Sequence, residues 1–224
     1  MKPGVTAGGR GIFIVFEGGD SVGKSTQVDL LCRRLAGIGC DVVGTFEPGD
    51  SEAGALIRQI VLDPATGDLA PRAEALLYAA DKAHHLHAVV RPALERGAVV
   101  ICDRYVDSML AYQGAGRVLK LAEVELIARW ATEDLRPDLT VLLDVEPGHA
   151  VGAKVDKDRL EDAGDVFHQR VREHFLALAD RDPEHYLVLD ARGTRGEIAE
   201  AVAARVADLL PGVELSEPAG TVGA

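Results

Sequence analysis

Five short apolar runs rich in β-branched residues constrain the fold of this chain more than any other feature: Ile12–Phe16, Val42–Phe46, Val99–Cys102, Leu139–Val145 and Tyr186–Leu189. None alternates cleanly between apolar and polar residues. Continuous apolar runs suit strands covered on both faces, as in a parallel sheet. Helical patterns fill the intervals, over Gln27–Ile38, Ala53–Leu62, Arg72–Arg96, Leu121–Asp134, Asp165–Ala179 and Thr194–Leu210. In the first of them Val28, Leu31, Cys32 and Leu35 form one stripe, and Thr194 with Glu197 has the spacing of a capping box. Strands alternating with helices imply right-handed βαβ crossovers and a layered α/β domain.

No repeat or linker divides residues 11–210, so one domain is expected there, with flexible segments at 1–10 and 211–224. The polar, glycine-interrupted stretch after Val145, about residues 146–164, reads as an excursion from the domain. With 24 Lys+Arg against 36 Asp+Glu, the net charge of −12 argues against non-specific nucleic-acid binding. No apolar run approaches the ~18–20 residues that span a bilayer. The three cysteines, Cys32, Cys40 and Cys102, have no metal-binding spacing. The expectation is a soluble cytoplasmic protein without a membrane or nucleic-acid partner.

Chemistry enters just after the first strand. Gly18-Gly19-Asp20-Ser21-Val22-Gly23-Lys24-Ser25, followed by Thr26, fits Gly-x4-Gly-Lys-Ser/Thr between a strand and an amphipathic helix. Glycines let backbone N–H groups curl around phosphates, and the helix N-terminus adds positive potential. Lys24 can then reach the β- and γ-phosphates of ATP, and the Ser25 hydroxyl can ligate Mg²⁺. The third strand ends in Asp103-Arg104-Tyr105, at the edge where α/β sheets bind ligands. There Asp103 can hold the metal and Arg104 a phosphate, or the pair can cap a helix and form a surface ion pair.

The chain resembles the thymidylate kinase family of P-loop nucleoside-monophosphate kinases. The matching residues are Phe16-Glu17-Gly18, Asp20 and Gly23-Lys24-Ser25-Thr26-Gln27, then Glu47-Pro48-Gly49 and the run from Glu74 to Asp81. Further on come Arg91-Pro92-Ala93-Leu94, Asp103-Arg104-Tyr105, Asp107-Ser108, Ala111-Tyr112-Gln113-Gly114, Pro137-Asp138-Leu139-Thr140, Leu143-Asp144-Val145 and Asp158-Arg159-Leu160-Glu161.

The resemblance implies a three-layer α/β/α fold on a five-stranded, mainly parallel sheet. It implies transfer of the ATP γ-phosphoryl group to dTMP, giving dTDP and ADP for dTTP synthesis, in a homodimer. In such an enzyme Tyr78 would stack on thymine, and Lys82, one helical turn later, would face the base edge. Ser108, Tyr112 and Gln113 would line the acceptor site with Glu47. Arg104 would hold the dTMP phosphate, and Asp20 would sit near the sugar hydroxyl and the metal. The excursion after Val145 would be a lid bringing Lys154 and Arg159 to ATP.

Several positions depart from the family pattern: Phe46 and Lys82 replace arginines, Asp50-Ser51 replaces Gly-Thr, Tyr78 replaces the usual Phe, and Ser21 stands where some members carry a catalytic arginine. Lys lacks the planar fork of Arg. Two other functions use the same residues. A deoxynucleoside kinase would employ Glu47 as general base, and a nucleotide-binding regulatory protein would bind without turnover. His84, His85 and His87 lack the i, i+4 spacing of a helical metal pair and read as structural. Trp130 reads as core or subunit interface.

Overall fold

The computed structural model describes residues 10–116, 119–147, 164–211 and 215. Strands β1 (Ile12–Gly18), β2 (Val42–Phe46), β3 (Val99–Asp103), β4 (Leu139–Asp144) and β5 (Tyr186–Asp190) form one sheet in the order β2-β3-β1-β4-β5. All four pairings are parallel. The strands follow the apolar runs, but β1 runs two residues past Phe16 because Glu17, although acidic, is wholly buried. Its neighbours on the two sides are β3 and β4, so the strand order reverses at β1. The cleft at its carboxyl end is where such sheets bind ligands.

The helices are α1 (Lys24–Gly37), α2 (Glu52–Leu62), α3 (Pro71–His85), α4 (Arg91–Glu95), α5 (Val106–Met109), α6 (Leu121–Thr132), α7 (Asp165–Arg181) and α8 (Arg195–Ala207). Ile12, Ile14 and Phe16 of β1 pack with Leu31 and Leu35 of α1 and with Val202 and Val206 of α8. Phe13 and Val15 face the other way, onto Leu86, Val90, Leu94 and Tyr105. A third cluster joins Tyr112, Phe167, Phe175 and Leu142. Three layers result, with helices on both faces of the sheet.

Two stretches differ from the periodic expectation. The long helix expected over Arg72–Arg96 is interrupted by a π-helical segment, Leu86–Val90, before α4. That widening lies just ahead of Pro92, which has no N–H to donate and would crowd the carbonyl four residues earlier. The segment after β3 is helical where no helix was expected, as α5 and then a π-helical Leu110–Gly116. A wide turn has no 3.6-residue period, so apolar spacing cannot reveal it. The capping box at α8 forms, with Thr194 and Glu197 bonded reciprocally.

The expected N-terminal segment, lid and C-terminal tail fall largely outside the described residues, as do Lys154 and Arg159.

Candidate active site

The loop between β1 and α1 is built on backbone that side chains resist. Gly18 lies at φ 135°, and a Cβ there would approach the Leu143 carbonyl oxygen to 2.4 Å. Gly23 turns the chain into α1 at φ 97°, and Val22 anchors the loop in the core. Ser21 is in the left-handed region at φ 59°. Thr26 is exposed on the first turn of α1.

Lys24, the first residue of α1, is buried and folds back to donate to the Gly18 and Gly19 carbonyls at 3.2 and 2.5 Å. Burial, with Arg104 nearby, pulls its ammonium pKa down to about 8 against the attraction of Asp103 and Asp20. Next to it the Ser25 hydroxyl donates to Asp103 Oδ2 at 2.6 Å. A hydroxyl and a carboxylate oxygen side by side at a phosphate loop are hard donors of the kind Mg²⁺ prefers, so these residues fit the ion.

Arg104 stands at the centre of the cleft. Its Nη2 donates to Asp20 at 2.5 Å, and its Nη1 to Ser108 Oγ and the Gly18 carbonyl at 3.0 and 3.1 Å. Its guanidinium lies 5.2 Å from the Tyr112 ring centre. The Tyr112 hydroxyl completes the group by donating to Asp20 Oδ2 at 2.9 Å. Burial pushes the Asp20 carboxyl up, but Arg104, Lys24 and this hydroxyl together hold it below the usual range.

Tyr78 and Gln113, both buried, line the far end of the same cleft, about 630 Å³ in volume. Gln113 donates to Glu74 at 3.2 Å. Lys82 lines it as well, with its ammonium 2.5 Å from Glu47 Oε2, while Glu47 Oε1 is bonded to His85 Nδ1 at 2.8 Å. His85 thus points inward and His84 and His87 are exposed, so the three do not converge.

The cleft therefore brings together Asp20, Ser21, Lys24, Ser25, Glu47, Tyr78, Lys82, Asp103, Arg104, Ser108, Tyr112 and Gln113 of the expected site residues, while Gly18, Gly19, Val22, Gly23 and Thr26 do not line it. Sequence reasoning missed Arg58, which lines the cleft, and Glu17, which is bonded to the cleft residue Ser108. The Arg58 guanidinium of α2 lies 5.6 Å from the centre of the Phe46 ring and donates to the Pro48 carbonyl. A cation thus stands beside the position where the family pattern has arginine. Glu17 lies beneath the loop, bonded to Ser108 and Tyr105. Arg58 carries no signal in the sequence beyond its charge, and Glu17, although it falls in the matched run Phe16-Glu17-Gly18, carries none for a role in the site.

A phosphate loop closed by a lysine, a pair of hard oxygens and an acceptor cavity holding an aromatic ring define a P-loop phosphotransferase that acts on small molecules. The thymidylate kinase family model matches residues 16–202. A thymidylate kinase of Cutibacterium acnes is 58% identical over 200 residues, which cover 89% of this chain and 98% of that one. One from Deinococcus radiodurans is 45% identical over 202 residues, at 89% and 98% coverage. The crystal structure of thymidylate kinase from Ehrlichia chaffeensis superposes with a TM-score of 0.71 at 28% identity, covering 88% of this chain and 99% of that one. The chain belongs to the thymidylate kinase family.

Proposed function

We infer that this kinase transfers the γ-phosphoryl group of ATP to dTMP, giving dTDP and ADP, within one domain over residues 11–210. The observation that carries the reading is the single cleft joining Lys24 and the Ser25–Asp103 pair to Arg104, Tyr78 and Gln113. Backbone amides of residues 18–25 hold the ATP phosphates. Lys24 leaves the two loop carbonyls for the β- and γ-oxygens, where its full charge is favoured. Ser25 and Asp103 would hold Mg²⁺, which would supply positive charge against the negative charge that develops in phosphoryl transfer.

Arg104, already aimed by Asp20 and Ser108, takes the dTMP phosphate. Thymine lies against Tyr78, with Gln113 and the free donors of Lys82 at its edge. Tyr112 and Asp20 face the sugar. The acceptor needs no general base, because the second phosphate pKa is about 6 and the nucleophile is already largely anionic. Glu47 is held ionised and buried by Lys82 and His85, which disfavours it as the base of a deoxynucleoside kinase. The lid residues Lys154 and Arg159 supply further positive charge to ATP.

The decisive assay offers ATP and Mg²⁺ with a panel of nucleoside monophosphates. Turnover with dTMP as the preferred acceptor is expected; no turnover of any acceptor would overturn the reading.

A homodimer and a cytoplasmic location complete the proposal. Leu56 and Ile60 of α2, Leu76 of α3, and Leu126 and Trp130 of α6 are exposed large apolar residues, and α3 packs against both of the other helices. Trp130 is 83% exposed, so it belongs to no core, and an apolar surface of this kind suits a second copy of the chain. Trp130→Glu is expected to convert a dimer to a monomer in light scattering after size exclusion. An unchanged mass would remove this face from the interface. The three cysteines are all free, as suits a reducing compartment. Among the described residues no helix is long and apolar enough to cross a membrane.

A further inference from the structure

Glu17 is an ionisable residue next to the carboxyl end of a buried parallel strand, with no exposed surface. Its carboxylate oxygens accept three hydrogen bonds, all from the turn after β3 and the short α5 that follows it. Oε1 accepts the Tyr105 and Ser108 N–H groups at 2.8 and 3.1 Å, and Oε2 accepts the Ser108 hydroxyl at 2.6 Å. Ser108 Oγ in turn accepts from Arg104 Nη1 at 3.0 Å. That turn needs an anchor, because Arg104 itself has φ 70°, a left-handed conformation unfavourable to a long side chain. On its other side Glu17 borders a second cavity of about 520 Å³, shared with Asp107, Thr140 and Tyr186.

We propose that Glu17 is a positioning residue for phosphoryl transfer: its carboxylate fixes the Ser108 hydroxyl and the turn that together aim Arg104 at the acceptor phosphate. The proposal rests on Arg104 holding that phosphate. Glu17 touches neither substrate.

Glu17→Gln isolates the carboxylate, since the amide oxygen can still accept the two N–H groups while its NH₂ cannot accept the Ser108 hydroxyl. Steady-state kinetics with each substrate varied, for Glu17→Gln, Ser108→Ala, Arg104→Ala and the Glu17→Gln/Arg104→Ala double variant, provide the test. Glu17→Gln is expected to lower kcat/KM for dTMP roughly 10- to 100-fold, the scale at which displacing a supporting partner acts. KM for ATP should stay within about twofold, as expected when the loop lysine is undisturbed. Ser108→Ala should shift the same parameter in the same direction, and it carries the test if Glu17→Gln does not fold. In the Arg104→Ala background, Glu17→Gln should add almost nothing, because the two act as a unit.

An unchanged kcat/KM for dTMP in Glu17→Gln overturns the proposal. So do equal losses toward ATP and dTMP, or a full additional loss in the Arg104→Ala background. If Arg104→Ala alone leaves dTMP kinetics intact, the assignment of Arg104 fails, and the role of Glu17 fails with it.

Discussion

Lys24→Ala is expected to lower dTMP turnover by about 10³-fold or more while leaving the fold intact. The size of the loss follows from the chemistry. In phosphoryl transfer the protein supplies mainly position and positive charge, and a single aimed cation contributes roughly 10³–10⁵ in rate. Arg104 also reaches the loop, but it is committed to Asp20, Ser108 and the Gly18 carbonyl. The fold should survive because burial disfavours the Lys24 charge where it stands. Burial pulls its pKa down to about 8, so its charge is less favourable there than in water. Its hydrogen bonds go to loop carbonyls that line the cleft. A coupled ADP assay beside a thermal melt gives both readouts. Turnover within tenfold of the parent would remove Lys24 from the phosphate site, and a collapsed melt would mean that the lysine holds the loop together.

The phosphate loop could be read before any fold was known because its eight residues are contiguous and act mainly through backbone that glycine permits. Asp103 and Arg104 were legible for a related reason: they end an apolar strand, and strand ends in a parallel sheet share one edge. Glu17 and Arg58 were not. The partners of Glu17 lie 88 and 91 residues away, and a charged residue closing an apolar run looks like the end of a strand. In this chain it is still inside one. Arg58 meets Phe46 only because α2 folds back over the end of β2, so position 46 reads from sequence as a lost cation when the structure puts one beside it. Lys82 follows the same logic. The i, i+4 relation to Tyr78 puts it in the same cleft, but nothing local shows that Glu47, 35 residues earlier, holds its ammonium.

That pairing makes Lys82 a stability residue as well as a cleft residue, and Lys82→Met is expected to destabilise the protein by about 3–5 kcal/mol at pH 7, the cost of leaving one member of a buried ion pair alone. For a domain of this size the melting temperature should fall by roughly 6–20 °C. Methionine keeps most of the stem volume, so the loss reports the charge and not a cavity. The side chains are 3% and 1% exposed, and Glu47 keeps only the His85 ring as partner when the lysine is gone. The dependence on pH separates this cause from loose packing. In the parent, burial pushes Glu47 up, but Lys82 and then His85 hold it below its ordinary 4.5. Burial opposes the Lys82 charge, yet Glu47 lifts Lys82 above its ordinary 10.5. The contribution of Glu47 is therefore present above pH 4.5 and is lost as pH falls through its folded value. That of Lys82 is present below pH 10.5 and is lost as pH rises through its folded value. In Lys82→Met burial acts on Glu47 without its main counter-charge, so its folded pKa rises above 4.5 and folding takes up a proton. The variant then gains stability between pH 7 and pH 5, where the parent pair is still intact, and the gap between the two proteins narrows. Guanidinium unfolding at both pH values measures it. A gap below about 1 kcal/mol at pH 7, or one that holds constant or widens at pH 5, would show that the pair is not what stabilises this end of the cleft.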